Sequence, residues 1–145
     1  MALIVSQLNR PDVALAAAAH FLARARLSYQ FGFGPLVLSL DAQVKHNTYL
    51  FAFEGVKVVG YLGWAMLDAA RAAIFAREGR IPGYDETGGD DVVWLLVAGA
   101  TSKKALDAML EAGRKRYAGK RIMGVRHKPG GRVVKFDKII RLRNK

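Results

Sequence analysis

The chain contains no cysteine, which excludes disulfide staples, thiolate catalysis and cysteine-held zinc. Histidine is scarce: His20, His46 and His127 are the three present, and no two stand at a metal-ligand spacing such as i and i+4, so no metal site is expected. No run of about 18 apolar residues free of charge occurs, so no segment is expected to cross a membrane. The first residues, Met-Ala-Leu-Ile-Val-Ser-Gln, lack the basic start and long apolar core of a secretory signal, and an intracellular location is expected. Acidic residues nearly vanish from the last third. Residues 103–145 carry 15 Lys and Arg against 3 Asp and Glu, a net +12, whereas residues 1–102 carry 8 against 9, a net −1.

What is present is a core. Apolar residues make up 52% of 145 residues, enough for one packed domain spanning residues 1–145. Pro11-Asp12 opens a helix, with proline in the first turn and an acid near the positive end of the dipole. The alanine-rich run from Asp12 to Leu27 continues it, and Phe31-Gly-Phe-Gly34 breaks it. Pro35 starts a second helix to about His46, whose cationic form suits a helix C-terminus.

A long hairpin follows. Thr48–Glu54, Gly55 and Val56–Leu67 read as two strands around a tight turn. Asp68–Glu78 reads as a short helix and Gly79–Asp91 as a polar loop. Val92–Ala98 has the continuous apolar character of a strand buried on both faces. Thr101 or Ser102 caps a helix to about Tyr117, with Leu106, Met109 and Leu110 as its inner stripe. Arg121–His127 and Arg132–Leu142 form a last hairpin around Lys128-Pro-Gly-Gly131. The order predicts an α/β domain with a mixed sheet and flanking helices.

Three segments resemble the lysine acyltransferases that activate RTX toxins, a branch of the acetyltransferase-like (GNAT) fold. Asn47-Thr-Tyr49 with Val58-Val-Gly-Tyr61-Leu-Gly-Trp64-Ala is similar to that family's Asn-Gln-Tyr and Val-Ala-Tyr-x-Ser-Trp-Ala. Gly89-Asp90 ahead of Trp94 is similar to its Ser-Gly-Asp-x-x-Trp. Met123-Gly-Val125-Arg126 before a Lys/Pro/Gly turn and a valine-rich last strand is the third. The resemblance covers about residues 20–140. It implies a GNAT-like fold and transfer of a fatty acyl chain from acyl carrier protein to a protein lysine.

The family's catalytic pair does not carry over. A lysine amine attacks only when deprotonated, so the chemistry needs a base and a group that orients it. Counting back from Tyr49 and Trp64 puts the family's histidine at Ser28, and counting forward from Trp94 puts its aspartate at Val97. A slip of one residue offers Leu96 or Ala98. The nearest histidine, His20, is eight residues upstream of Ser28, about 12 Å along a helix. No catalytic residue is therefore assigned, and His20 with Ser28 are the candidates if a rearranged site acts.

Other chemistry is weakly signalled. Asp85-Glu86 and Asp90-Asp91 share one glycine-rich loop without calcium-loop spacing, so a solvated loop is expected. The phosphate-cradling Arg/Gln-x-x-Gly-x-Gly/Ala loop is missing before the helix that follows Val92–Ala98, where Gly99-Ala-Thr-Ser102 stands instead. This argues against coenzyme A, and no cofactor is expected. The candidate binding residues are Arg114, Lys115, Arg116, Lys120, Arg121, Arg126 and Lys128. Their partners could be an acidic protein such as acyl carrier protein, which a positive face would steer, or nucleic acid through its phosphates. Together these features read as an acyltransferase-fold scaffold that binds rather than catalyses. A phage-encoded component, in a virion or meeting host proteins, would fit so small and basic a protein. The alternatives are an active acyl-carrier-dependent lysine acyltransferase and a non-specific nucleic-acid-binding protein.

Overall fold

Near-continuous apolar runs in Tyr49–Glu54 and Lys57–Leu67, buried on both faces, build the centre of the molecule, and the other elements assemble on them. The computed structural model describes residues 2–25, 32–128, 130 and 132–143. In chain order the elements are β1 (Leu3–Ser6), α1 (Pro11–Arg24), α2 (Phe33–Lys45), β2 (Tyr49–Glu54), β3 (Lys57–Leu67) and α3 (Ala69–Glu78). β4 (Val92–Ala100), α4 (Lys103–Tyr117), β5 (Arg121–His127) and β6 (Val133–Ile139) complete the domain. The six strands lie in the order β1-β2-β3-β4-β5-β6. All neighbours are antiparallel except β4 and β5, which run parallel and are joined through α4. The expected α/β mixed sheet with flanking helices is what forms.

Gly55 turns the central hairpin with φ 59°, a conformation glycine adopts without a Cβ penalty. Tyr49, Phe51, Tyr61 and Val97 point to one face, where α1 contributes Ala14, Ala18 and Leu22 and α2 contributes Leu40 and Val44. α3 packs farther along this face, setting Phe75 edge-on to Trp94 with ring centres 6.1 Å apart. The opposite face carries Ala52, Leu62, Trp64 and Val93 against Ala105 and Met109 of α4. Burial of each large apolar side chain contributes roughly 1.5–3 kcal/mol. Met109 also explains Gly60, because a Cβ there would lie 2.6 Å from the Met109 methyl.

The structure differs from these expectations at four places. β1 was not foreseen: four residues at a sheet edge are too short for a readable period, and pairing with β2 creates the strand. α1 ends at Arg24, and Ala25 is already extended (φ −81°, ψ 146°), while the expected continuation to Leu27 lies outside the described residues. β4 is continuously buried only through Val92, Val93 and Trp94; Leu95 and Leu96 are half-buried, Val97 is buried on one face and Ala98 is exposed. The reason is the sheet itself. β4 pairs with β5 only from Val92↔Arg121 to Trp94↔Met123, and beyond that point the two strands no longer pair. α2 also begins two residues before Pro35, which sits harmlessly in its first turn.

Candidate functional site

The end of the β4–β5 pairing and the reach of α4 together create a cleft. α4 packs on β1, β2, β3 and β4, which leaves the same face of β5 and β6 open beside it. The opening holds about 470 Å³. Its walls are Leu62 and Trp64 of β3, Val93 and Leu95 of β4, Leu110 of α4 and Ile122 of β5. Gly113 of α4 also lines it. On the outer side Phe136 lies across Gly124, its cross-strand partner, so closely that a Cβ there would meet the ring at 2.4 Å.

Cations surround this apolar floor. Arg114, Arg126, Lys138 and Arg141 all line the cleft. Arg114 is half-buried and meets Glu111 one turn earlier at 3.3 Å, whereas Arg126, Lys138 and Arg141 are exposed. Lys138 reaches this face because strand side chains alternate: Val134, Phe136 and Lys138 line the cleft, whereas Lys135 donates to the Arg77 carbonyl of α3 at 3.5 Å.

The other residues in the expected binding set are dispersed. Arg116 lies over Trp64 and Tyr117, 5.5 and 5.0 Å from the ring centres, and donates to the Asn47 carbonyl at 2.9 Å. Asn47 has φ 57°, and Gln7 donates to the same carbonyl at 3.0 Å. Lys120 donates to the Asp90 carbonyl at 2.6 Å. Arg121 forms a fork with Asp137, one arm of it at 2.7 Å, which raises the guanidinium pKa and lowers that of the carboxylate. Lys115 is exposed, and Lys128 closes the last hairpin through its N–H to the Arg132 carbonyl at 2.8 Å. Arg114 and Arg126 thus meet at the cleft. Lys138 and Arg141, outside the expected set, join them, and alternation along β6 is the signal that could have found Lys138.

A second cleft of about 370 Å³ opens on the α2 side, between α2, β3 and the 79–91 loop. Ser39, Gln43, His46, Thr48 and Tyr84 supply its polar groups. The loop wall keeps its acids in solvent, with Asp85, Asp90 and Asp91 exposed, and is braced by ion pairs. Arg80 grips Glu86 through both terminal nitrogens at 2.8 and 2.7 Å, and Glu86 also accepts from the Gly83 N–H at 2.8 Å. These bonds pull the Glu86 pKa down to about 2 and raise that of Arg80. Asp91 accepts from the Ala69 N–H at 3.1 Å at the start of α3.

The positions implied for catalysis fare differently. Val97 is buried in the hydrocarbon cluster with Tyr49, Tyr61, Ala18 and Leu22. His20 is exposed on α1, and exposed His46 lines the second cleft. Ser28 and the His127 side chain lie outside the described residues. Tyr61 is held neutral, its pKa raised by burial and then by Tyr49, and its hydroxyl donates to Gln43 Oε1 at 2.7 Å.

Comparison with known proteins bears on the fold. No protein-family model matches the chain, and no curated protein matches it in sequence. Solved structures do. The loading GNATL domain of CurA from Lyngbya majuscula superposes with a TM-score of 0.61 at 10% identity, over 86% of this chain and 65% of that one. The GphF GNAT-like decarboxylase in complex with isobutyryl-CoA gives 0.60 at 14% identity, also over 86% and 65%. The ribosomal-protein-S18-alanine N-acetyltransferase of Escherichia coli gives 0.55 at 10% identity, over 99% and 97%. The chain therefore has a GNAT-like fold, and it spans just under two thirds of the length of the first two of these structures.

Proposed function

We propose that the chain is a GNAT-fold binding protein of the toxin-activating acyltransferase type, without that family's histidine–aspartate chemistry, whose basic C-terminal third holds an acidic protein. One observation carries this reading: Arg114, Arg126, Lys138 and Arg141 stand around an apolar cleft rather than along a flat basic face. Such a site complements a surface that is acidic at its rim and apolar at its centre. Nucleic acid is the poorer match, because Arg116, Lys120 and Arg121 are engaged within the protein and little is left of the expected row of phosphate contacts.

Val97 supports the loss of catalysis, since a valine in a hydrocarbon cluster neither orients an imidazole nor holds a charge. Acyl carrier protein is the acidic partner that the resemblance supplies. It suits this chain better than coenzyme A does. The first turn of α4 already spends its Ala105 N–H on the Ser102 hydroxyl at 3.1 Å, and Lys103 is paired with Asp107 at 2.8 Å.

The test is binding and thiol release measured together with acyl-loaded carrier protein. Binding without thiol release above background, even with lysine-rich acceptor peptides, is the expected result. Thiol release that His20→Ala abolishes would show an active, rearranged enzyme instead. Tight binding of duplex DNA with a steep salt dependence, and none of the carrier, would show a nucleic-acid-binding protein.

A further inference from the structure

The face of β5 and β6 that borders α4 has the width and chemistry of a helix-binding strip. Neighbouring strands are spaced about 4.8 Å apart, so two strands present a strip about 10 Å wide. Helices packed side by side are separated by about 8–10 Å. One helix laid along β5 and β6 would therefore sit next to α4 as a second member of the same layer. The strip is apolar along its floor, where Leu110, Ile122, Val134 and Phe136 face the cleft, and Val134 remains 38% exposed. Lys138 stands beside Ile122 and Arg126 beside Val134, so a helix laid along the strip meets an exposed cation near each end, and exposed Arg141 also lines the cleft.

We infer that this cleft seats an amphipathic helix of the partner protein, with an apolar stripe at i, i+3, i+4 and i+7 spacing and carboxylates beside the stripe near both ends. The inference rests on the reading that the partner is an acidic protein, and it names the element of the partner that is recognised. Charge selects the occupant. A helix with basic residues beside its stripe would meet the four cations with like charge, and an acidic segment lacking the apolar stripe would leave the floor wet.

The experiment uses the full chain and three stapled helical peptides of about 18 residues: acidic with a leucine stripe, basic with the same stripe, and acidic with serines in place of the stripe. Affinities are measured by fluorescence anisotropy at low salt, and circular dichroism verifies that each protein variant is folded. The acidic striped peptide should bind, and the other two should bind at least about tenfold more weakly. Arg126→Glu/Lys138→Glu should weaken the striped peptide roughly tenfold, since each reversed rim charge contributes severalfold. Val134→Asp should weaken it as well, and Lys104→Glu, at the start of α4, should change affinity by less than about twofold.

Equal binding of the two acidic peptides, or indifference to Val134→Asp and the double charge reversal, would overturn the helix assignment while leaving an acidic partner in place. Failure of every acidic ligand, intact carrier protein included, would overturn the acidic-partner reading itself and the helix assignment with it.

Discussion

Gln43 occupies the space that a side chain on Gly63 would need. A Cβ at Gly63 would lie 1.9 Å from Gln43 Oε1, in the same place where that oxygen accepts the buried Tyr61 hydroxyl at 2.7 Å. Gln43 is itself 3% exposed, and its amide nitrogen donates to Ser39 at 3.1 Å. Glycine in the middle of β3 is thus a packing requirement of α2 rather than a flexible joint. Gly63→Ala should destabilise the fold by about 1–3 kcal/mol through overpacking. Gln43→Ala should cost a similar amount, about 1–3 kcal/mol, by leaving the Tyr61 hydroxyl unpaired. The double variant should cost less than the sum of the two. Urea denaturation of the four proteins measures all three quantities.

Arg116 is a structural cation. It stacks on Trp64 and Tyr117 and donates to the Asn47 carbonyl, while the Trp64 indole N–H donates to the Tyr117 hydroxyl at 3.0 Å. Lysine keeps the charge but loses the planar stacking, so Arg116→Lys should lower stability by about 0.5–1 kcal/mol. Tyr117→Phe should lower it by about 1 kcal/mol. Neither change alters the net charge, and Arg116→Lys should leave the affinity for an acidic partner within about twofold of wild type. Thermal unfolding and binding isotherms on the same samples separate the two effects.

Glu86 makes part of the stability depend on pH. Its pKa falls from 4.5 to about 2 because Arg80 and the Gly83 N–H favour the charged form. A group depressed in the folded state stabilises above its unfolded pKa, and that contribution disappears as pH falls from 4.5 toward 2. The pair is solvent-accessible and screened, so its effect is modest. Acid titration of the melting temperature should therefore show a smaller drop over this window in Glu86→Gln than in wild type. Equal slopes would remove Glu86 from the account of the braced loop.

Val97 tests the loss of the implied catalytic pair from the stability side. Its side chain is 7% exposed among Tyr49, Tyr61 and the α1 alanines. Restoring a carboxylate with Val97→Asp should destabilise the fold by about 3 kcal/mol or more, because the charge has no partner there. It should restore no acyl transfer. A well-folded Val97→Asp protein that releases thiol from acyl carrier protein would show that a base does stand nearby.

The strongest sequence signals were local ones. The central hairpin, the pairing of the last two strands and the helix capped at Ser102 were legible from long β-branched apolar runs, glycine placement and a single hydroxyl, and the structure keeps all three. β1 was not legible because its four residues owe their form to β2. The cleft was hidden for a related reason. Nothing in Leu62, Leu110 or Val134 shows that α4 stops short of β5 and β6, because that depends on where the β4–β5 pairing ends. The basic third was visible as a composition, but composition does not say that Arg121 turns to Asp137 or that Arg116 turns to Asn47. Of the expected cationic set, Arg114 and Arg126 reach the cleft, together with Lys138 and Arg141, which only strand alternation and the tertiary fold bring there.

The most direct test of the account is the affinity of acyl carrier protein for the wild-type chain and for Arg126→Glu/Lys138→Glu, each titrated at low and at physiological salt beside a DNA duplex. Wild type is expected to bind the carrier more tightly than the duplex at both salt concentrations, and reversing the two cleft cations is expected to remove most of that binding. Carrier binding that is untouched by the reversal, or a duplex that binds more tightly than the carrier, would contradict the acidic-partner reading.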